Sequence, residues 1–253
     1  LESTSWLTAR TVSRHLSVPS DSLVLDLRYG EGASFKGFSD ARSVGQQVVS
    51  QLIEKGIPAV QLLLAEEQPT GTGIGPALEL AEAVAIMRGC HPTPLFRQDA
   101  MLEQRRLVLT VFEAMMKLTF GPGEWFKLAE QAFADGRVLG GFHRLLTAHG
   151  VDERTATAFI ENPIGQLQRR AVVPAPRRGR LMAIDARRVE SALSTLSNET
   201  DASHGGILVR KRLGDVVKAG EPIVEVWHDS GEPLSEVVSA MIGAFNVSTE
   251  ERE

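Results

Sequence analysis

The chain has 253 residues, 43% hydrophobic and 23% charged, enough for one or two domains with a real apolar core. Its formal net charge of -5 lacks the basic footprint of a general nucleic-acid binder, and its single cysteine, Cys90, excludes an internal disulfide and Cys-rich zinc modules. No apolar run approaches the roughly 20 residues of a membrane span, and no basic, apolar leader opens the sequence, so a cytoplasmic location away from membranes is expected.

Ser3 or Thr4 caps a first helix to about residue 16, with Trp6, Leu7, Val12 and Leu16 as a loose apolar face. Residues 22–27 read as a short buried strand, followed by the glycine loop Gly30-Glu31-Gly32-Ala33. A helix from about residue 39, with Val44, Val48, Leu52 and Ile53 on one side, stops at Gly56. A second strand covers 57–64. A second glycine loop, Thr70-Gly71-Thr72-Gly73-Ile74-Gly75, leads through Pro76 into a helix over 77–88. That order predicts parallel βαβ units. Helices are expected over 100–119, 124–134 and 138–148, and a basic, proline-bearing connector over 168–179 marks a domain boundary. Beyond it a strand (180–185), a helix (186–196), two strands (206–211 and 223–227) around a turn-rich hairpin, and a helix (234–245) form a small α+β unit.

The second glycine loop admits two readings. Backbone N–H groups before a helix form an anion site, but Gly-x-Gly-x-Gly is not a dinucleotide fingerprint, and Pro76 suits a plain turn entering a helix. Arg10 and Arg14, four apart, share a helix face, and Arg28 ends the first strand, where α/β proteins place ligand contacts. Their guanidinium groups suit a carboxylate, a phosphate or a carbonyl edge; the alternative is a solvated face with a structural ion pair. The histidines (His15, His91, His143, His149, His204 and His228) lack metal-type spacing, and Cys90 has no activating partner in its local sequence. Gly214-Asp215-x-Val217-x-x-Gly220-Glu221-Pro222 has the turn grammar of lipoyl-type barrels without their tip lysine pattern, which favours a structural hairpin.

Several blocks together resemble the thymidine/pyrimidine-nucleoside phosphorylase family. They are Leu23-Val24-Leu25-Asp26-Leu27-Arg28-Tyr29-Gly30-Glu31-Gly32-Ala33, the run from Gln68 through Thr70-Gly71 and Gly75-Pro76-Ala77-Leu78-Glu79 to Ala83, Ala183-Ile184-Asp185-Ala186-Arg187, and Gly206-Ile207 with Leu213-Gly214-Asp215. The resemblance implies a small-lobe helix at 1–17, the C-terminal part of an α/β phosphorylase domain at 18–167, and an α+β domain with a barrel-sandwich-like hairpin at 168–253. It implies a pentosyltransferase that uses inorganic phosphate as co-substrate to split a pyrimidine nucleoside into free base and (deoxy)ribose 1-phosphate, working as a homodimer.

On the family pattern, Arg10 stands where a base-contacting serine is usual, Arg14 where a lysine is usual, and Arg28 at the lysine ending the strand. These three are the expected substrate-binding residues. Thr70, Gly73 and Glu82 match a site that holds a monovalent cation, such as potassium, in some members. Pro76 replaces an asparagine, and the C-terminal glycine-arginine motif is replaced around Ser197-Asn198-Glu199. No catalytic residue is assigned, because the family's Lys-His-Ser-Thr-Gly-Gly phosphate segment and its base-contacting arginine have no counterpart in this sequence. The sequence therefore reads as the C-terminal larger part of such an enzyme. Two alternatives stay open: a non-catalytic or partner subunit whose companion chain supplies the missing lobe, and a diverged enzyme whose Arg10/Arg14 pair receives an anionic substrate such as a nucleotide.

Overall fold

The computed structural model describes residues 4–18, 20–165, 167–199, 205–229 and 234–248. It is an α/β protein that divides into two compact units, residues 1–67 with 105–131, and residues 68–104 with 132–253.

In the first unit, α1 (Thr4–Leu16) precedes β1 (Leu23–Tyr29), α2 (Phe38–Glu54) and β2 (Ala59–Ala65). β1 and β2 pair in parallel from Leu23 with Ala59 to Tyr29 with Ala65, the expected βαβ unit. Ala41, Val44, Val48 and Leu52 recur every three or four residues and are buried, so α2 presents one stripe to the sheet. Gly45 on that stripe allows close approach. A Cβ there would collide with Gln61 Oε1 and lie 2.5 Å from Leu27 Cδ1. α2 closes on Gly56, at φ +81, whose N–H donates to Ile53 while Ile57 N–H donates to Leu52. Gly30, at φ +129, turns the chain over the end of β2, where a Cβ would lie 2.7 Å from the Glu66 carbonyl.

The chain passes between the units within α4 (Gln98–Phe120) and again within α5 (Trp125–Ala134). The second unit holds β3 (Gly73–Ile74), α3 (Pro76–Met87), α6 (Arg137–Ala148) and α7 (Glu153–Glu161). It also holds β4 (Gln168–Pro174), β5 (Gly179–Ile184), α8 (Ala186–Glu199), β6 (Gly205–Val209), β7 (Val216–Val217), β8 (Pro222–His228), α9 (Ser235–Met241) and β9 (Phe245–Val247). Two sheets form, in the orders β3-β6-β8-β4 and β7-β5-β9, with antiparallel pairing throughout. Their core includes Leu181, Ile207, Val217, Ile223, Val224, Val226 and Met241, all 0–2% exposed.

Four expectations need correction. Residues 168–174 are not a connector but strand β4, because Ala171, Val172 and Val173 pair with β8 and Val173 enters the core. Arg169 and Arg170 do not make this strand a solvated linker; the first bridges to Glu225 and the second donates to the carbonyls of His228 and Asp229. The last helix is shorter than expected, ending at Met241 so that Gly243, at φ +84, can turn the chain into β9 beside β5. Helix α7 has no counterpart in the expected elements. Its start is marked by Asp152, whose carboxylate accepts from Thr155 N–H at 3.0 Å. Finally, the second glycine loop does not continue the parallel sheet; Gly73 and Ile74 pair with Leu208 and Ile207 in the C-terminal sheet. The boundary between the compact units at 67/68 accordingly puts this loop with the C-terminal sheets. The replaced motif at Ser197-Asn198-Glu199 lies in α8, and His204 lies outside the described residues.

Candidate functional site

Helix α1 uses two neighbouring stripes for two purposes. Thr8 and Val12, four apart, are buried; Thr8 Oγ1 donates to the Thr4 carbonyl at 2.9 Å and to Gln47 Oε1 on α2 at 3.2 Å. That docking turns the adjacent stripe, Leu7, Arg10, Thr11, Arg14 and His15, toward an open cleft of about 630 Å³. Leu25 and Leu27 of β1, Val44 and Val48 of α2, Ser34 and Phe35 from the loop after β1, and Ser17 and Val18 after α1 also line it. Arg10 also lies over the Trp6 ring, 5.1 Å from its centroid. Arg14 makes no side-chain ion pair or hydrogen bond among the described residues.

Arg28 is not part of this cleft lining. Side chains alternate along a strand, and Leu25 and Leu27 line the cleft while Asp26 and Arg28 form a salt bridge of their own. Arg28 donates to Asp26 through Nε and Nη2 at 3.1 Å each, and to Glu66 Oε1 at 3.0 Å. The bond to Asp26 outweighs the effect of burial, and with the Glu66 charge it holds the guanidinium pKa above its ordinary value. The structure thus brings Arg10 and Arg14 together and gives Arg28 two carboxylate partners. His15, Ser34 and Phe35 were missing from the expected site. Their signals were helical phase with Leu7 and Thr11 for His15, and position just after a strand-end glycine loop for the other two.

The second glycine loop is closed by its own helix. Thr72 N–H donates to both Glu82 oxygens at 3.0 Å, Thr72 Oγ1 to Oε1 at 2.8 Å, and Gly73 N–H to Oε2 at 3.0 Å. Gly75 N–H donates to Glu79 at 2.9 Å. Gly71 is required here, since a Cβ would collide with Glu82 Oε2. These N–H groups already have carboxylate partners, so the turn reading of the loop describes it and the phosphate reading does not.

The same geometry tests the cation implied at Thr70, Gly73 and Glu82. A cation needs carbonyl oxygens turned toward the carboxylate, whereas this loop turns N–H groups toward it, and the Thr72 carbonyl accepts from Val209 N–H at 2.8 Å. Both Glu82 oxygens carry two hydrogen bonds, which fills their lone pairs. The donor set does not fit a cation. Among the described residues no group of three or more His, Cys, Asp or Glu is placed to hold a metal, and no helix is long and apolar enough to cross a membrane.

Comparison with known proteins places this geometry in context. A Chelativorans sp. (strain BNC1) protein carrying the name thymidine phosphorylase in qualified form is 28% identical over 231 residues, 90% of this chain and 42% of its own length. The pyrimidine-nucleoside phosphorylase of Bacillus subtilis (strain 168) is 27% identical over 94% of this chain and 54% of its own. The thymidine phosphorylase of Mycobacterium tuberculosis (strain CDC 1551 / Oshkosh) is 25% identical over 98% of this chain and 55% of its own. The chain is similar to proteins named thymidine phosphorylase and pyrimidine-nucleoside phosphorylase. It spans about half the length of the curated proteins it matches. No family model matches it.

Proposed function

We propose that the chain is the C-terminal part of a pentosyltransferase that cleaves the N-glycosidic bond of a pyrimidine nucleoside with inorganic phosphate, releasing base and (deoxy)ribose 1-phosphate. The observation that carries this reading is similarity to pyrimidine-nucleoside phosphorylases along nine tenths of the chain. The cleft beside α1 supports it, because Arg10 and Arg14 stand at positions the family pattern uses to contact the base.

In this reaction negative charge builds on the departing base while the sugar carbon takes on oxocarbenium character. Fixed cations near the base favour that state over the ground state. Arg14 supplies a permanent guanidinium for this role; its planar fork offers two parallel donors where an ammonium offers a point charge. Leu25, Leu27 and Phe35 give the ring an apolar surface and keep water from it. The phosphate co-substrate is assigned to the part of the relatives beyond the matched half, not to the 70–75 loop, and no cation is routed through Glu82. Homodimer formation, or a companion chain completing the lobe, and a cytoplasmic location belong to the same proposal. The functional division at 17 and 167 is likewise retained as ancestry, independent of the compact units.

The test is base release by the native polypeptide, purified with whatever accompanies it, from thymidine and uridine with and without phosphate. Release that requires phosphate is expected. Release at the same rate without phosphate would identify a hydrolase and overturn the reading.

A further inference from the structure

Parallel strands occur almost only in sheets covered on both faces, and a lone pair of strands is marginal in water. Yet β1 and β2 form a two-stranded parallel sheet among the described residues. Its hydrogen bonds fix which backbone groups are left over. Leu23 N–H donates to the Pro58 carbonyl at 2.9 Å, and Glu66 N–H donates to the Tyr29 carbonyl at 2.7 Å. With Leu23 opposite Ala59, the even-numbered residues of β2 turn their backbone groups toward β1. The N–H and carbonyl groups of Ala59, Gln61, Leu63 and Ala65 turn the other way, and no described group hydrogen-bonds to them. The two edges of the sheet are not equivalent. β1 contains Asp26 and Arg28, and its far edge is met at one end by Phe35, which bridges Tyr29 and accepts from Gly30 N–H at 2.8 Å. β2 reads Ala-Val-Gln-Leu-Leu-Leu-Ala, with no charge, no proline and no bulge. Those are the devices that blunt a free edge, because a long apolar edge recruits other strands. Ala59, Gln61 and Leu63 are also half-buried, where a backbone group without a partner is costly.

We propose that β2 is an inner strand of a wider sheet in the native enzyme, its outer edge paired with a strand from the region that the curated relatives carry outside the matched half. This rests on the reading of the chain as part of a phosphorylase-like enzyme, and it names the edge through which the rest joins. The relatives hold the material for it, since the matched region is 42%, 54% and 55% of their length in the three compared. A strand laid along Ala59–Ala65 satisfies the outward N–H and carbonyl groups of four residues. Its side chains alternate between the face of Gln61 and Leu63, beside α2, and the face of Val60, Leu62 and Leu64. Gln61 apart, both faces are apolar, so the incoming strand is apolar throughout, as strands buried on two sides are.

The native polypeptide, purified with whatever accompanies it, tests this by hydrogen exchange, substitution and cross-linking. The amides of Gln61 and Leu63 should exchange as slowly, within about tenfold, as those of Val60 and Leu62, which donate to β1. Faster exchange at both positions overturns the proposal. Gln61→Pro and Gln61→Ala both lose the glutamine side chain, and only the first also loses the outward N–H. Proline is tolerated at a free edge and costly in a paired strand. Gln61→Pro is therefore expected to melt roughly 5 °C or more below Gln61→Ala, or to fail to fold where Gln61→Ala folds; equal midpoints overturn the proposal. A photoactivatable thiol reagent on Ala65→Cys, at the exposed end of β2, identifies the neighbour by mass spectrometry, and the buried Cys90 does not compete for it. The captured peptide should match the half of the relatives that this chain does not cover. A β2 peptide from a second copy, or no polypeptide neighbour, overturns the proposal. A protected edge in a protein that releases base without phosphate keeps the strand pairing and removes the phosphorylase reading. Phosphate-dependent release with a fast-exchanging edge does the reverse.

Discussion

Glu82 is 2% exposed, and its carboxyl oxygens accept from backbone N–H groups and a hydroxyl. Removing the acceptor leaves buried donors unpaired, at roughly 1–3 kcal/mol for each group. Glu82→Ala should therefore lower the unfolding free energy by about 3 kcal/mol or more in a denaturant titration. Because the loop closes through N–H donors, thermal unfolding of the wild-type protein should have the same midpoint in potassium and in sodium salts; a clear rise in potassium alone would restore the cation to this loop. Glu225 is a second buried carboxylate, 4% exposed in its side chain. Burial opposes its ionisation, yet the Arg210 guanidinium at 2.7 Å, the Trp227 indole N–H at 3.0 Å and Arg169 at 3.2 Å hold its pKa below the ordinary glutamate value. A depressed folded-state pKa stabilises the fold above the unfolded-state value and is lost as pH falls through the folded one. Glu225→Gln should cost about 3 kcal/mol near neutrality, and the gap to wild type should narrow in acid. A gap that stays constant down to strongly acidic pH would contradict the ion-pair account.

Elements show which sequence signals survive packing. Helices α1, α2, α3 and α4 and the parallel pair β1 and β2 were legible because apolar period and glycine stops agree with the burial they reach. Strand β4 was hidden because Gln168, Arg169, Arg170 and Pro174 dominate its composition, and only its pairing with β8 reveals Val173 as core. Strand β3 was hidden because two residues, Gly73 and Ile74, carry no period at all. At the candidate site the local sequence put Arg10 and Arg14 on one face. It could not show that Arg28 pairs with Glu66, 38 positions away. Gly45 marks where α2 meets the sheet, and Gly45→Ala should destabilise by about 1–3 kcal/mol through overpacking against Gln61 and Leu27. An unchanged melting temperature would show that α2 can shift away from β1 and β2 without loss.

At the scale of the whole molecule, similarity to the phosphorylases runs through both compact units, from α1 to the C-terminal sheets, while the matched region is about half of each relative. The cleft beside α1 lies wholly within the first unit. The central claim is that phosphate, not water, takes the sugar. The most direct measurement supplies the native polypeptide with a pyrimidine nucleoside, neutral or acidic, and phosphate labelled with heavy oxygen, and follows the label by mass spectrometry. The account predicts labelled sugar 1-phosphate in equal amount to the released base. Free sugar carrying solvent oxygen, with unlabelled C1, would contradict it.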